Sequence, residues 1–184
     1  MASRMSKTRL IIMAILIIAG IAIIGFALSR ISCNPPEPTP QSDDAPDFTL
    51  PIITWNETTL STLEGTPVVL NFWSISCYWC RQQLPYLESI AQQSEGEMKV
   101  IAINMRDSAS QIRTFFGDYR PTMILALDKN REAFADYCLS YNNTRGSIPF
   151  TLFVDSEGIV QYVKIGAFTS EAQLWDTLHD VFEL

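Results

Sequence analysis

The sequence predicts an α/β domain, a central mixed β-sheet flanked by helices, carried behind an N-terminal transmembrane helix. Three observations predict it. Two near-continuous apolar runs rich in β-formers, VVLNFW at 68–73 and MKVIAINM at 98–105, enclose a stretch with helical spacing. Two further strand-like runs flank the turn Asp155, Ser156, Glu157, Gly158. A charge-free apolar run, LIIMAILIIAGIAIIGFAL, occupies residues 10–28.

That run comes first along the chain. As a helix it spans about 28 Å, which matches the hydrocarbon core of a bilayer and exceeds the usual signal-peptide core of about 7–15 residues. Arg4, Lys7 and Arg9 precede it and Arg30 alone follows closely, so the positive-inside rule places residues 1–9 in the cytoplasm and the rest outside. Two other treatments of this end stay open: cleavage near Ala27 and Ser29, or lipidation at Cys33. Residues 29–45 are rich in proline and lack apolar periodicity, as a semi-rigid linker does. Residues 46–184 then form one domain of about 140 residues, near the commonest domain size.

All 20 acidic residues but only nine of the 13 basic ones follow Ser32, which leaves the outer part with a net charge of −11. Acidity of this order keeps a domain soluble and argues against nucleic acid or anionic lipid headgroups as partners.

Within the domain, Val68–Trp73 reads as a strand buried on both faces. Tyr78–Gln93 reads as a helix with Leu84, Leu87, Ile90 and Ala91 on one stripe, and 98–105 as the next, parallel strand. Ser108 is a natural cap for a helix over Ala109–Phe116. A further helical pattern covers 131–139. Strands at 149–154 and 159–165 make the hairpin, and a last helix over 170–182 carries Leu174, Trp175, Leu178 and Phe182.

Cys77 and Cys80 fall where the first of these strands ends and the first helix begins, the edge at which open α/β sheets place their sites. Free amides and the helix dipole at that end stabilise a thiolate, and Cys-x-x-Cys pairs reach thiol pKa values of roughly 3.5–7.5 against about 8.5 for a free cysteine. Zinc would need about four ligands, and the chain's one histidine is His179, far along in the last helix. Haem attachment would need a histidine where Arg81 stands. A stapling disulfide gains most by closing a long loop, and this one closes almost none. Redox chemistry is the favoured reading, with a structural bridge or a metal as alternatives, and it calls for no cofactor and no metal. Of the other two cysteines, Cys138 is expected to fill the core as a small hydrophobe, and Cys33 sits in the linker.

Four stretches in order resemble the thioredoxin-like superfamily, in particular its membrane-anchored, extracytoplasmic thiol-disulfide oxidoreductases of the TlpA/ResA kind: APDFTLP (45–51), LEGTPVVLNFWSISCYWC (63–80), the helix proline Pro85, and SIPFTLFVDSEGIV (147–160). The resemblance implies a thioredoxin-like fold in which Pro149 is cis and lies against the disulfide, with Ile148 and Trp79 as an apolar rim. It implies that Cys77 attacks a protein disulfide and Cys80 resolves the mixed disulfide. It further implies a membrane thiol electron donor and substrates such as apocytochrome c awaiting haem. The chain departs from the pattern at two supporting positions: Asn71 and Gln83 are neutral amides where relatives carry an acid that helps move the proton of the second thiol. Two rival readings remain. One is a peroxiredoxin-like thiol peroxidase, for which Ser74 is suitably spaced but Leu70 replaces the motif's proline; the other is a non-catalytic, membrane-tethered thioredoxin-like binding module.

Overall fold

The structure, a computed structural model, describes residues 44–54 and 56–182. The expected cytoplasmic end, the anchor at 10–28 and the linker up to residue 43 lie outside the described residues. Among those that are described, no helix is long and apolar enough to cross a membrane.

A short antiparallel hairpin opens the domain, β1 (Thr49–Pro51) with β2 (Glu57–Thr59), and a 3-10 turn over Leu60–Leu63 follows. Next come β3 (Val68–Trp73), α1 (Tyr78–Gln93), β4 (Lys99–Asn104), α2 (Ala109–Phe116), β5 (Ile124–Leu127), α3 (Glu132–Ser140), β6 (Phe150–Val154), β7 (Val160–Ile165) and α4 (Glu171–Phe182). The main sheet has the order β5-β4-β3-β6-β7, with β3, β4 and β5 parallel and β6 and β7 antiparallel to their neighbours. It is the mixed sheet the sequence predicts, extended by β5 and joined by the β1–β2 hairpin.

Every residue of β3 is buried because it is the central strand with a layer on each side. Alternation sorts the side chains. Val69 and Trp73 join Val100, Ala102 and Phe153 under α1 and α4, whose Leu84, Leu87, Ile90, Leu174 and Leu178 close that core. Leu70 and Phe72 join Ile101, Ile103, Phe150 and Leu152 on the other face, beneath Ala133, Phe134 and Tyr137 of α3 and beneath Phe48 and Leu50 beside the hairpin. The buried stripe of α3 thus runs through residues 133, 134 and 137, and Cys138 is turned about 100° away from Tyr137. Cys138 is a free thiol and only half-buried, not the core filler expected, and burial still pushes its pKa up despite the opposing pull of Arg131.

Helix boundaries follow their caps. Ser108 accepts from the Gln111 amide while the Gln111 side chain accepts from the Ser108 amide, a full capping box at the start of α2. Arg131, expected as the first residue of the next helix, instead stands before α3 in the left-handed region at φ 60°, and the buried Asp128 accepts from the Phe134 amide.

One buried acid ties the active-site helix to the sheet edge. Glu88 of α1 accepts from the amides of Thr122 (2.8 Å) and Met123 (3.1 Å), the Tyr119 hydroxyl (2.9 Å) and Gln92 (2.8 Å), holding the segment that leads into β5. Burial alone would raise its pKa, but those donors more than offset that and hold the carboxyl below its usual range. Replacing Glu88 by Ala strands two amides and should lower the unfolding free energy by about 1–3 kcal/mol in denaturant titrations. Because the folded-state pKa is the lower one, this contribution should be complete above about pH 4.3 and fade as the pH falls through the depressed value. A Glu88→Ala variant as stable as the parent at neutral pH would contradict it.

Candidate active site

Cys77 and Cys80 are joined as a disulfide, S–S 2.06 Å, at the C-terminal edge of β3. The turn between strand and helix is Ser74, Ile75, Ser76, Cys77, closed by the Cys77 amide donating to the Ser74 carbonyl at 3.2 Å. Cys77 is the N-cap of α1, and the Cys80 amide points at its sulfur, 3.1 Å away. A sulfur in that place receives a helix-end amide and the positive end of the dipole, both of which favour a thiolate. The two sulfurs differ sharply in access. Cys77 is half-buried, while Cys80 is 1% exposed among the α1 core residues, where charge is disfavoured.

On the other side of the disulfide runs the loop into β6. The Ile148–Pro149 peptide bond is cis, as the resemblance implies. The Ile148 carbonyl oxygen lies 3.8 Å from Cys77 Sγ, so this loop flanks the reactive sulfur with backbone. The loop is held from both ends: buried Asn143 grips the amide and the carbonyl of Ser147 at 2.9 Å each, and the Gly166 amide donates to the Pro149 carbonyl at 2.8 Å. Of the expected apolar rim, Ile148 is half-buried against both cores, and Trp79 projects into solvent at 61% exposure, edge-on to the Tyr78 ring.

Behind the disulfide, Asn71 and Gln83 converge on one acceptor that the sequence alone did not single out. Asn71 Nδ2 (2.9 Å) and Gln83 Nε2 (3.0 Å) both donate to Thr151 Oγ1, and the Phe168 amide donates to Gln83 Oε1 at 2.9 Å. All three side chains are buried. The β3–β6 register sets Asn71 directly opposite Thr151, and Gln83 reaches them from the first turns of α1. A polar residue amid the apolar run FTLFV was the signal available for Thr151. Sequence reasoning also passed over Arg81 and Asp107, which hold Ile75 in the turn before Cys77. Among the described residues, no group of three or more His, Cys, Asp or Glu could hold a metal ion.

Residues 42–163 match the model of the AhpC/TSA family. The chain belongs to this family. The chain is 30% identical over 134 residues to the thioredoxin-like protein YneN of Bacillus subtilis, covering 71% of this chain and 75% of that one. It is 26% identical over 179 residues to the thiol-disulfide oxidoreductase ResA of the same organism, covering 97% and 94%. The fold is similar to that of StoA from Bacillus subtilis, with a TM-score of 0.58 and 20% identity over 72% of this chain and 96% of that one. These likenesses and the paired cysteines make the protein a thioredoxin-like thiol-disulfide oxidoreductase of the TlpA/ResA kind.

The neutral set behind Cys80 has a kinetic consequence. A glutamate at position 83 finds the same surroundings ready, since the Phe168 amide can donate to one oxygen and the Thr151 hydroxyl can turn to donate to the other. Gln83→Glu should therefore speed resolution of a mixed disulfide by Cys80, on the order of 10²-fold if proton removal limits that step. Stopped-flow release of a thiol from a preformed mixed disulfide on Cys77 measures it. An unchanged or slower rate would show that water already takes the proton.

Proposed function

We propose that this enzyme works outside the cytoplasm, tethered through residues 10–28, and reduces disulfides of protein substrates, with apocytochrome c cysteines awaiting haem as one such substrate and a membrane thiol donor as its electron source. The observation that carries the reading is the unequal pair: a half-exposed Cys77 capped by a helix-end amide and flanked by the cis-proline loop, over a Cys80 that is 1% exposed.

The reaction follows from that inequality. The Cys77 thiolate attacks one sulfur of a substrate disulfide, forms the mixed disulfide, and expels the other substrate sulfur as a thiolate that takes a proton from water. An extended substrate segment can lie along the loop at Ile148 and Pro149, beside Tyr78 and Trp79. Cys80 then loses its proton and attacks the Cys77 sulfur, releasing the second substrate thiolate. The substrate has gained two electrons, and Cys77–Cys80 is again the disulfide seen here. No bound cofactor enters this sequence. Two equivalents from a donor dithiol restore the reduced pair.

Capture in intact cells tests both the chemistry and the location. Cys80→Ser should accumulate mixed disulfides with other proteins, and a membrane-impermeant reductant should release them; Cys77→Ser should accumulate none. Cys138 should be dispensable for this outcome, since it lies on a different element from the disulfide and burial pushes its thiol pKa up. Capture by Cys77→Ser alone would reverse the two roles. Capture that only a permeant reductant releases would place the enzyme inside the cell. No capture, together with rapid hydrogen peroxide consumption, would favour a thiol peroxidase, and no capture with partner binding intact would favour a tethered binding module.

A further inference from the structure

The turn that delivers the nucleophile is gripped at one residue by two opposite charges. Ile75 is the first corner of the Ser74 to Cys77 turn. Its amide donates to Asp107 Oδ2 at 2.8 Å, and its carbonyl accepts from Arg81 Nη1 at 2.7 Å. Both backbone groups of a single half-buried turn residue are thus spoken for by side chains from different elements. Neither side chain is loosely placed. Asp107 also accepts from Asn104 Nδ2 at 2.9 Å, and buried Asn104 in turn accepts from the amides of Arg106 and Asp107. Arg81 is tied to the same turn twice, because its own amide donates to the Cys77 carbonyl at 3.2 Å. Its guanidinium also lies 5.9 Å from the Tyr78 ring centroid.

We propose that Arg81 and Asp107 are paired positioning residues that fix the nucleophile's turn through Ile75 and trim the acidity of the Cys77 thiol in opposite directions. The reasoning is electrostatic. Each charge sits one hydrogen bond from a residue two positions before Cys77, so each acts on a thiolate there at short range, the guanidinium stabilising it and the carboxylate destabilising it. The other groups around Cys77 do not duplicate this pair. α1 adds the Tyr78 phenol, the loop after β4 adds exposed Arg106 beside Asp107, and the cis-proline loop presents the neutral Ile148 carbonyl. Stabilising the thiolate also favours the reduced dithiol over the disulfide, so acidity and redox equilibrium move together. A clamp of two opposed charges holds the geometry firmly while leaving the net effect on the thiol small. The inference rests on Cys77 being the nucleophile of the proposed function, but it does not depend on the substrate or on the direction of electron flow.

The test is the pH dependence of Cys77 alkylation in the reduced full-length protein, read by peptide fragment mass so that Cys33, Cys80 and Cys138 are counted separately. Asp107→Asn keeps an acceptor for the Ile75 amide and removes only the charge. It should lower the Cys77 pKa, by about half a pH unit for a partly exposed charge, and shift the equilibrium with glutathione about threefold toward the dithiol. Arg81→Gln should move both quantities the opposite way, Arg81→Lys should restore them, and the double variant Arg81→Gln with Asp107→Asn should return near the parent. A purely mechanical clamp predicts no change in Asp107→Asn, and that result, or a change of the opposite sign, would overturn the proposal even if Arg81→Gln proved unstable. A parent Cys77 that titrates like an ordinary thiol would overturn the assignment of the nucleophile as well.

Discussion

The site depends on one buried hydroxyl. Thr151 Oγ1 receives hydrogen bonds from Asn71 on β3 and from Gln83 on α1, and Thr151 itself belongs to β6, two residues after the cis-proline. Three elements that reach the disulfide from different parts of the sequence are therefore locked together at a point behind it. Burial makes the lock strong. Away from water, an amide donor without an acceptor costs free energy, so none of the three elements can slide past the others without exposing or stranding a polar group. Gln83 extends the lock by accepting from the Phe168 amide in the approach to α4.

From that fixed point the difference in access between the two thiols follows. Gln83 lies one helical turn after Cys80, so the lock that holds Gln83 also keeps Cys80 in the core, while Cys77 stays at the rim as the helix cap. The loops on either side of Cys77 are each gripped at a single residue through its amide and its carbonyl: Ser147 by Asn143, and Ile75 by Asp107 and Arg81. Backbone held in this way is preorganised, which would reduce the cost of ordering it were an extended segment to bind there as proposed. The same construction explains how the site tolerates neutral amides where related proteins carry an acid. The amides serve the geometry.

Much of this was legible in the residues. The strand β3, the helices α1 and α2 and the hairpin turn announced themselves by apolar runs, helical spacing, Ser108 and the Asp155 to Gly158 sequence, because each is dictated by local chemistry. Strand β5 was not, since the short run ILAL lacks alternation and its pairing with β4 is a tertiary fact. The three-residue strands β1 and β2 were too short to carry a period. In the site, the cysteines, the proline of the loop into β6, Asn71 and Gln83 were singled out by position and resemblance. Thr151, Arg81 and Asp107 were missed because their partners lie 68 and 80 residues away for the first, and are backbone groups of an unremarkable isoleucine for the other two. Cys138 was misjudged because helical spacing placed it near the buried stripe, and one position of rotation moved it to the margin.

The most direct test of this account is the unfolding free energy, by denaturant titration, of the domain from Ala45 onward carrying Thr151→Val. Valine preserves the shape and removes the acceptor, leaving two buried amide donors without a partner. The account predicts a loss of about 2–4 kcal/mol, largely recovered in Thr151→Ser. A Thr151→Val domain within about 0.5 kcal/mol of the parent, the range of an ordinary surface change, would contradict it and show that packing alone holds the three elements together.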